Sequence, residues 1–195
     1  SVAGAFPAGM SAIDVRTADI ADAVRRGADE IDIVVSRADI LGGDWQALYD
    51  EVRDFRRSCG DAHLKTILAT GELSSLKQVA QASQVCMMAG ADFIKTSTGK
   101  ISPASTKPVV LLMLESVRDH FLDTGKLVGV KAAGGIKTSK DALRYLVMVN
   151  ETVGDHWLSP SMFRFGASSL VNDLLMQLAR IDSGSYQRPE DFSKD

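Results

Sequence analysis

Six times along the chain a short run of β-formers gives way to an amphipathic segment, and this recurrence limits the fold more than any other feature. The runs cover 2–6, 30–35, 63–69, 92–98, 127–132 and 163–167, with starts about 28 to 36 residues apart, the length of one βα unit. Strict alternation builds a parallel sheet, either doubly wound or curled into a barrel. A doubly wound nucleotide-binding sheet carries a glycine-rich turn after its first strand, where this chain reads FPAGM. The STGK at 97–100 lacks the glycine that a phosphate loop places five residues before Gly99; that position is Ile94.

The helical segments carry their own marks. Val110, Met113 or Leu114, Val117 and Phe121 recur at helical spacing, with Ser105 or Thr106 as N-cap, Pro108 in the first turn and Gly125 at the end. Thr138 or Ser139 opens the next helix, expected to bury Leu143, Leu146, Val147 and Val149. Segments 44–59, 74–89 and 168–181 behave similarly, so residues 1–182 read as one domain and 183–195 as a flexible tail.

The 45% apolar content, 24% charge and net charge of -3 are those of a soluble globular protein. The absence of a dense Lys/Arg stripe interleaved with aromatics argues against nucleic acid. The longest apolar run, VVLLML at 109–114, is too short for a bilayer, and no secretory signal is visible where Ser1 leads straight into VAGAF. Cys59 and Cys86 lack metal-ligand spacing and read as free thiols of a reduced, cytoplasmic compartment.

Four central strands each place an ionisable residue in an apolar run: Asp32 in EIDIVV, Lys65 in HLKTIL, Lys95 in DFIKTST and Lys131 in VGVKAA. Parity puts Ile31 and Ile33 on the face opposite Asp32, groups Phe93 and Ser97 with Lys95, and groups Gly129 with Lys131. A single such lysine is as easily a strand end reaching solvent. Four such charged residues, Asp32 and three lysines, converge on a barrel's carboxyl end, where active sites of that architecture lie. An amine nucleophile must be partly neutral near pH 7, and burial beside other cations favours the neutral form. The chemistry expected is a Schiff base with a carbonyl compound, formed by Lys95 or Lys131, with Asp32 moving protons.

Glycine turns follow the last two strands, in KAAGGIK at 131–137 and FGASS at 165–169, and each runs into a helix. Such turns let backbone N–H groups approach an anion, and Lys100 and Lys137 add charge at the rim. A serine or threonine nucleophile lacks a histidine partner: His63 is expected in the core, and His120 and His156 on helix surfaces.

Six motifs in this order resemble deoxyribose-phosphate aldolases: GAFPAG at 4–9, ADEIDIVVSR at 28–37, HLKTILATGEL at 63–73, DFIKTSTGK at 92–100, GVKAAGGIKT at 129–138 and FRFGASSL at 163–170. The resemblance implies a TIM-type (β/α)8 barrel that reversibly cleaves 2-deoxy-D-ribose 5-phosphate to D-glyceraldehyde 3-phosphate and acetaldehyde in the cytoplasm. It implies no metal or organic cofactor, partners limited to phosphorylated deoxy-sugar and aldehyde, and an open question of homo-oligomerisation. Lys95 would form the imine, Lys131 tune its pKa and Asp32 join the proton relay. Substrate contacts would come from Lys65, Gly99, Lys100, Gly134, Gly135, Lys137, Gly166, Ser168 and Ser169. The family pattern commonly has proline and arginine where this chain has Ala132 and Lys137, and lysine holds phosphate as a point charge rather than a fork. The family's first two βα units have no counterpart here, which is expected of a fragment, a misplaced start, a natural truncation or a barrel completed by another chain. The alternatives are a non-catalytic phosphosugar-binding remnant and a Schiff-base enzyme of transaldolase type.

Overall fold

Parity along the strands, more than strand length, decides which side chains meet. The structure, a computed structural model, describes residues 1–188 and 191. Its strands are β1 (Val2–Gly4), β2 (Glu30–Val34), β3 (His63–Ile67), β4 (Phe93–Lys95), β5 (Gly129–Ala133) and β6 (Phe163–Gly166). They pair in chain order, all parallel, in a single sheet. The crossovers carry α1 (Ile13–Arg25), α2 (Arg37–Gly42), α3 (Trp45–Cys59), α4 (Leu76–Met88), α5 (Lys107–Thr124) and α6 (Ser139–Val153), and α7 (Ser169–Ser183) follows β6.

The sheet curls into a half-barrel, because Arg164 on β6 reaches Glu30 on β2 across the concave face, Nη1 to Oε2 2.7 Å. The outward residues Ile31, Ile33, Leu64, Ile94 and Val130 are buried beneath the helices. Helix α3 meets them with Leu48, Val52, Phe55 and Cys59, spaced three or four apart, and Asp44 caps it by accepting from the Ala47 N–H. Each fully buried large aliphatic or aromatic side chain in this layer contributes about 1.5–3 kcal/mol. Arg16 and Glu51 tie α1 to α3 by a buried ion pair of 2.6 Å. Burial pushes the Glu51 carboxyl up, while the Ser36 N–H and the Arg16 guanidinium pull the other way.

Several expectations need correcting. Strand β4 ends at Lys95 rather than near 98; Thr96 N–H still donates to the Lys131 carbonyl at 3.2 Å, and side chains add further contacts to β5. Thr96 Oγ1 and Ser97 Oγ donate to the Ala133 carbonyl at 3.1 and 2.7 Å, and Ala133 N–H donates back to Thr96 Oγ1. Helix α6 buries Ala142, Tyr145 and Val149, whereas Leu143 and Val147 are 60% and 61% exposed. The inward stripe is rotated about one residue from the expected one. Helix α5 buries Val110, Met113, Leu114 and Val117 as expected but leaves Phe121 exposed, and it also buries His120, whose two ring nitrogens find no partner among the described residues. Burial favours the neutral imidazole there. His63, expected inside, is exposed as the first residue of its strand.

Both cysteines are buried free thiols, pushed up to about 11 for Cys59 and about 12 for Cys86 by burial. Among the described residues no helix is long and apolar enough to cross a membrane. Helix α7 buries Leu170 but leaves Val171, Leu174, Leu175, Leu178 and Ile181 largely uncovered. Of the tail expected over 183–195, Ser183 ends α7 and Gly184 closes it at φ 76°. Residues 189, 190 and 192–195 lie outside the described residues.

Candidate active site

Register stacks the inward side chains in two levels. Asp32, Lys65, Phe93 and Gly129 are successive partners across β2–β5, and Ile67, Lys95, Lys131 and Arg164 are partners across β3–β6. Gly129 has to be glycine: a Cβ there would lie 2.3 Å from the Phe93 ring. That ring fills the interior, and the cations of Lys65 and Arg164 sit over it at 6.0 and 5.1 Å.

The four charged residues expected to converge do so, around one carboxylate. Lys95 Nζ and Lys131 Nζ both donate to Asp32 Oδ2, at 2.6 and 2.7 Å. Lys65 Nζ donates to Oδ1 at 3.0 Å, and the Ser1 hydroxyl to the same oxygen at 2.9 Å. Burial alone would push the Asp32 carboxyl up. The ammonium groups of Lys95 and Lys131 outweigh it and hold the carboxyl well below its usual range. For Lys95 the balance runs the other way. Burial lowers its pKa first, Asp32 raises it, and the charges of Lys131 and Lys65 lower it further. The net direction is toward a neutral amine. The Phe6 ring lies 5.9 Å from Lys95 Nζ and narrows access to it.

Lys65, expected among the substrate contacts, lies within the same cluster. It is fully buried, and its ammonium donates to Glu30 at 2.8 Å, Asp32 at 3.0 Å and Ser1 at 3.4 Å. Sequence reasoning missed Glu30 and Arg164. Glu30 shares Asp32's parity two residues away, and Arg164 opens the RFG segment in register with Lys131. Both signals were legible. Their meaning depended on how far the sheet curls.

Acid should weaken this cluster. The Arg164 and Lys65 hydrogen bonds hold the Glu30 carboxyl at about 2, against an ordinary value of 4.5. Asp32 is depressed in the same direction from 3.8. Groups depressed in the folded state contribute stability that is present above their unfolded pKa and lost as pH falls through the folded one. The urea midpoint is therefore expected to hold steady from pH 7 to about 5 and to fall between about pH 4.5 and 2. Glu30→Gln should flatten the upper part of that fall.

The expected anion contacts gather around a second feature. Gly99 and Lys100 after β4, Gly134, Gly135 and Lys137 after β5, Gly166 at the end of β6, and Ser168 and Ser169 after it line one cavity of about 330 Å³. Gly134 and Gly135 take φ of 85° and 81°, in the left-handed region that favours glycine. A Cβ on Gly134 would lie 2.6 Å from Ala104 Cβ. Neither Lys100 nor Lys137 forms an ion pair among the described residues, and Ser168 makes no capping bond to α7. A larger cleft of about 520 Å³ runs between β1 and α1, past Asp19, Asp22 and Arg26, and contains none of the converging lysines.

Known proteins resemble this chain in sequence and in fold. Residues 4–175 match the profile of the DeoC/LacD family aldolases. The chain is 51% identical over 192 residues to a human deoxyribose-phosphate aldolase and 53% identical over 192 residues to its mouse counterpart. Each match takes in 98% of this chain and 60% of the relative, so the chain spans about 60% of the length of these curated relatives. Among solved structures, the aldolase QR15 superposes with a TM-score of 0.73 at 26% identity, over 93% of this chain and 73% of its own. A tetrameric deoxyribose phosphate aldolase from Aeropyrum pernix shares the fold, with a TM-score of 0.63 at 24% identity over 94% of this chain and 68% of its own. By sequence and by fold, the chain belongs to the DeoC/LacD aldolase family.

Proposed function

We propose that the chain carries the catalytic face of a class I aldolase acting on 2-deoxy-D-ribose 5-phosphate. One observation carries the reading: a buried lysine amine, Lys95, shares a carboxylate oxygen with a second lysine, Lys131. Relatives about half identical to the chain are deoxyribose-phosphate aldolases, which supports the substrate.

In this reading neutral Lys95 Nζ attacks C1 of the open-chain sugar, and loss of water leaves an iminium. The C3 hydroxyl then gives up its proton, through water, to the Asp32–Lys131 pair. The C2–C3 bond breaks, and its electrons enter the iminium as an enamine. D-glyceraldehyde 3-phosphate leaves, the enamine takes a proton at carbon, and hydrolysis frees acetaldehyde and Lys95. The cavity lined by Gly99, Gly134, Gly135 and Ser168 would hold the phosphate, with Lys100 and Lys137 supplying charge. The setting is a cytoplasmic enzyme of deoxyribonucleotide and carbohydrate catabolism. The uncovered apolar face of α7 supports association with further polypeptide, including a second copy.

Incubation with acetaldehyde and sodium borohydride is expected to add an ethyl group to Lys95, read by peptide mass spectrometry, alongside cleavage of deoxyribose 5-phosphate. Binding of the sugar phosphate with neither adduct nor cleavage would overturn catalysis in favour of a binding protein. Turnover of a keto-sugar donor alone would favour transaldolase-type chemistry. Gly135→Val tests the phosphate cavity. Gly135 sits at φ 81°, and a Cβ there would lie 3.7 Å from the Ser105 carbonyl oxygen, an ordinary contact, so a branched side chain both strains the turn and intrudes on the cavity. KM for deoxyribose 5-phosphate should rise at least ~10-fold while kcat/KM for free deoxyribose changes little, and equal effects on both would remove the assignment.

A further inference from the structure

The reaction scheme leaves three charged groups of the interior unused, Glu30, Lys65 and Arg164. Glu30 stands at the start of β2, two residues before Asp32 and on the same face. Its Oε2 accepts from Lys65 Nζ at 2.8 Å and from Arg164 Nη1 at 2.7 Å. Arg164 is itself fixed, since its Nε donates to the Pro160 carbonyl at 2.6 Å and its guanidinium lies 5.1 Å from the Phe93 ring centre. Lys65, with no exposed surface, lies between Glu30 and Asp32 Oδ1. A chain of opposite charges thus runs from β6 through β2 and β3 to the carboxylate shared by Lys95 and Lys131.

Resting on the aldolase reading above, we infer that Glu30 is a positioning residue for Asp32. It holds Lys65 between two carboxylates and thereby keeps Lys65 from drawing Asp32 away from Lys95. Four cations, Lys65, Lys95, Lys131 and Arg164, face only two anions, Glu30 and Asp32. In so lopsided a set, each carboxylate's allegiance decides how strongly the others hold their protons. With Glu30 neutral, Lys65 turns wholly to Asp32, and Lys95 loses part of the negative charge that keeps it protonated. With Arg164 neutral, Glu30 takes Lys65 more completely and releases Asp32 to Lys95. The two changes push Lys95 in opposite directions, which a purely structural clamp between β2 and β6 would not do.

The test titrates Lys95 without requiring turnover. Trace acetic anhydride labels neutral amines, and mass spectrometry of the Lys95 peptide across pH gives its midpoint in the full chain. Glu30→Gln is expected to lower that midpoint by about half to one pH unit, and Arg164→Gln to raise it by a similar amount. Unchanged midpoints, or shifts in the same direction, would overturn the inference. If one variant fails to fold by circular dichroism, an unchanged midpoint in the other is enough to overturn it. Absence of a borohydride adduct in the unmodified chain would sink the aldolase reading, while the acetylation midpoints would still decide the role of Glu30.

Discussion

Lys95→Met is expected to eliminate the borohydride-trapped adduct and to lower deoxyribose 5-phosphate cleavage by at least ~10⁴-fold, to background. The expectation follows from covalent catalysis: without an amine there is no iminium to accept the electrons of the breaking C2–C3 bond. Methionine is close to lysine in length and carries no charge, so the variant keeps the packing against Phe6 while removing one donor from Asp32. Asp32 still receives Lys131 on Oδ2 and Lys65 and Ser1 on Oδ1, so no unpaired buried carboxylate is created. The variant should therefore stay folded, and the loss can be read as chemical. Intact adduct formation at another lysine, with activity preserved, would transfer the nucleophile's role away from Lys95.

Why this much was readable in advance comes down to period. A parallel strand buried on both faces leaves only parity to say which residues enter the barrel, and parity placed Asp32, Lys65, Lys95 and Lys131 together correctly. It could not distinguish a lysine held by one carboxylate from one held by two. Lys65 looks identical to Lys95 in sequence, and only Glu30 beside it in space sets it apart. The Glu30–Arg164 contact joins residues at opposite ends of the chain, and depends on sheet curvature, which no local pattern encodes. Helix α6 shows a related limit. Its apolar residues, Ala142, Leu143, Tyr145, Leu146, Val147 and Val149, cover more than one face. Which stripe turns inward was settled by tertiary packing. The glycine-lined cavity was more legible, because glycines at positive φ and strand-to-helix turns are local signals.

Lys131→Leu carries the other large expectation, and its value lies in the sign. Lys131 shares Asp32 Oδ2 with Lys95, and its charge lowers the Lys95 pKa. Leucine removes that repulsion and leaves Oδ2 to Lys95 alone, so both changes favour the protonated amine. The midpoint of imine formation should move up by about one pH unit or more, which depletes the neutral amine at pH 7 by up to about tenfold. Adding the lost proton-transfer partner, the rate at pH 7 should fall by roughly 10²–10³-fold. The two contributions separate on the alkaline side. Raising the pH toward 9 restores the neutral amine but not the proton carrier, so adduct formation should recover there while aldol cleavage recovers only in part. Stopped-flow measurement of imine formation beside steady-state cleavage, both from pH 5 to 10, reads the two limbs independently. An unmoved imine midpoint would mean that Lys131 does not tune Lys95. Full recovery of cleavage at high pH would mean that tuning is its whole contribution, with the proton carried by Asp32 and water alone.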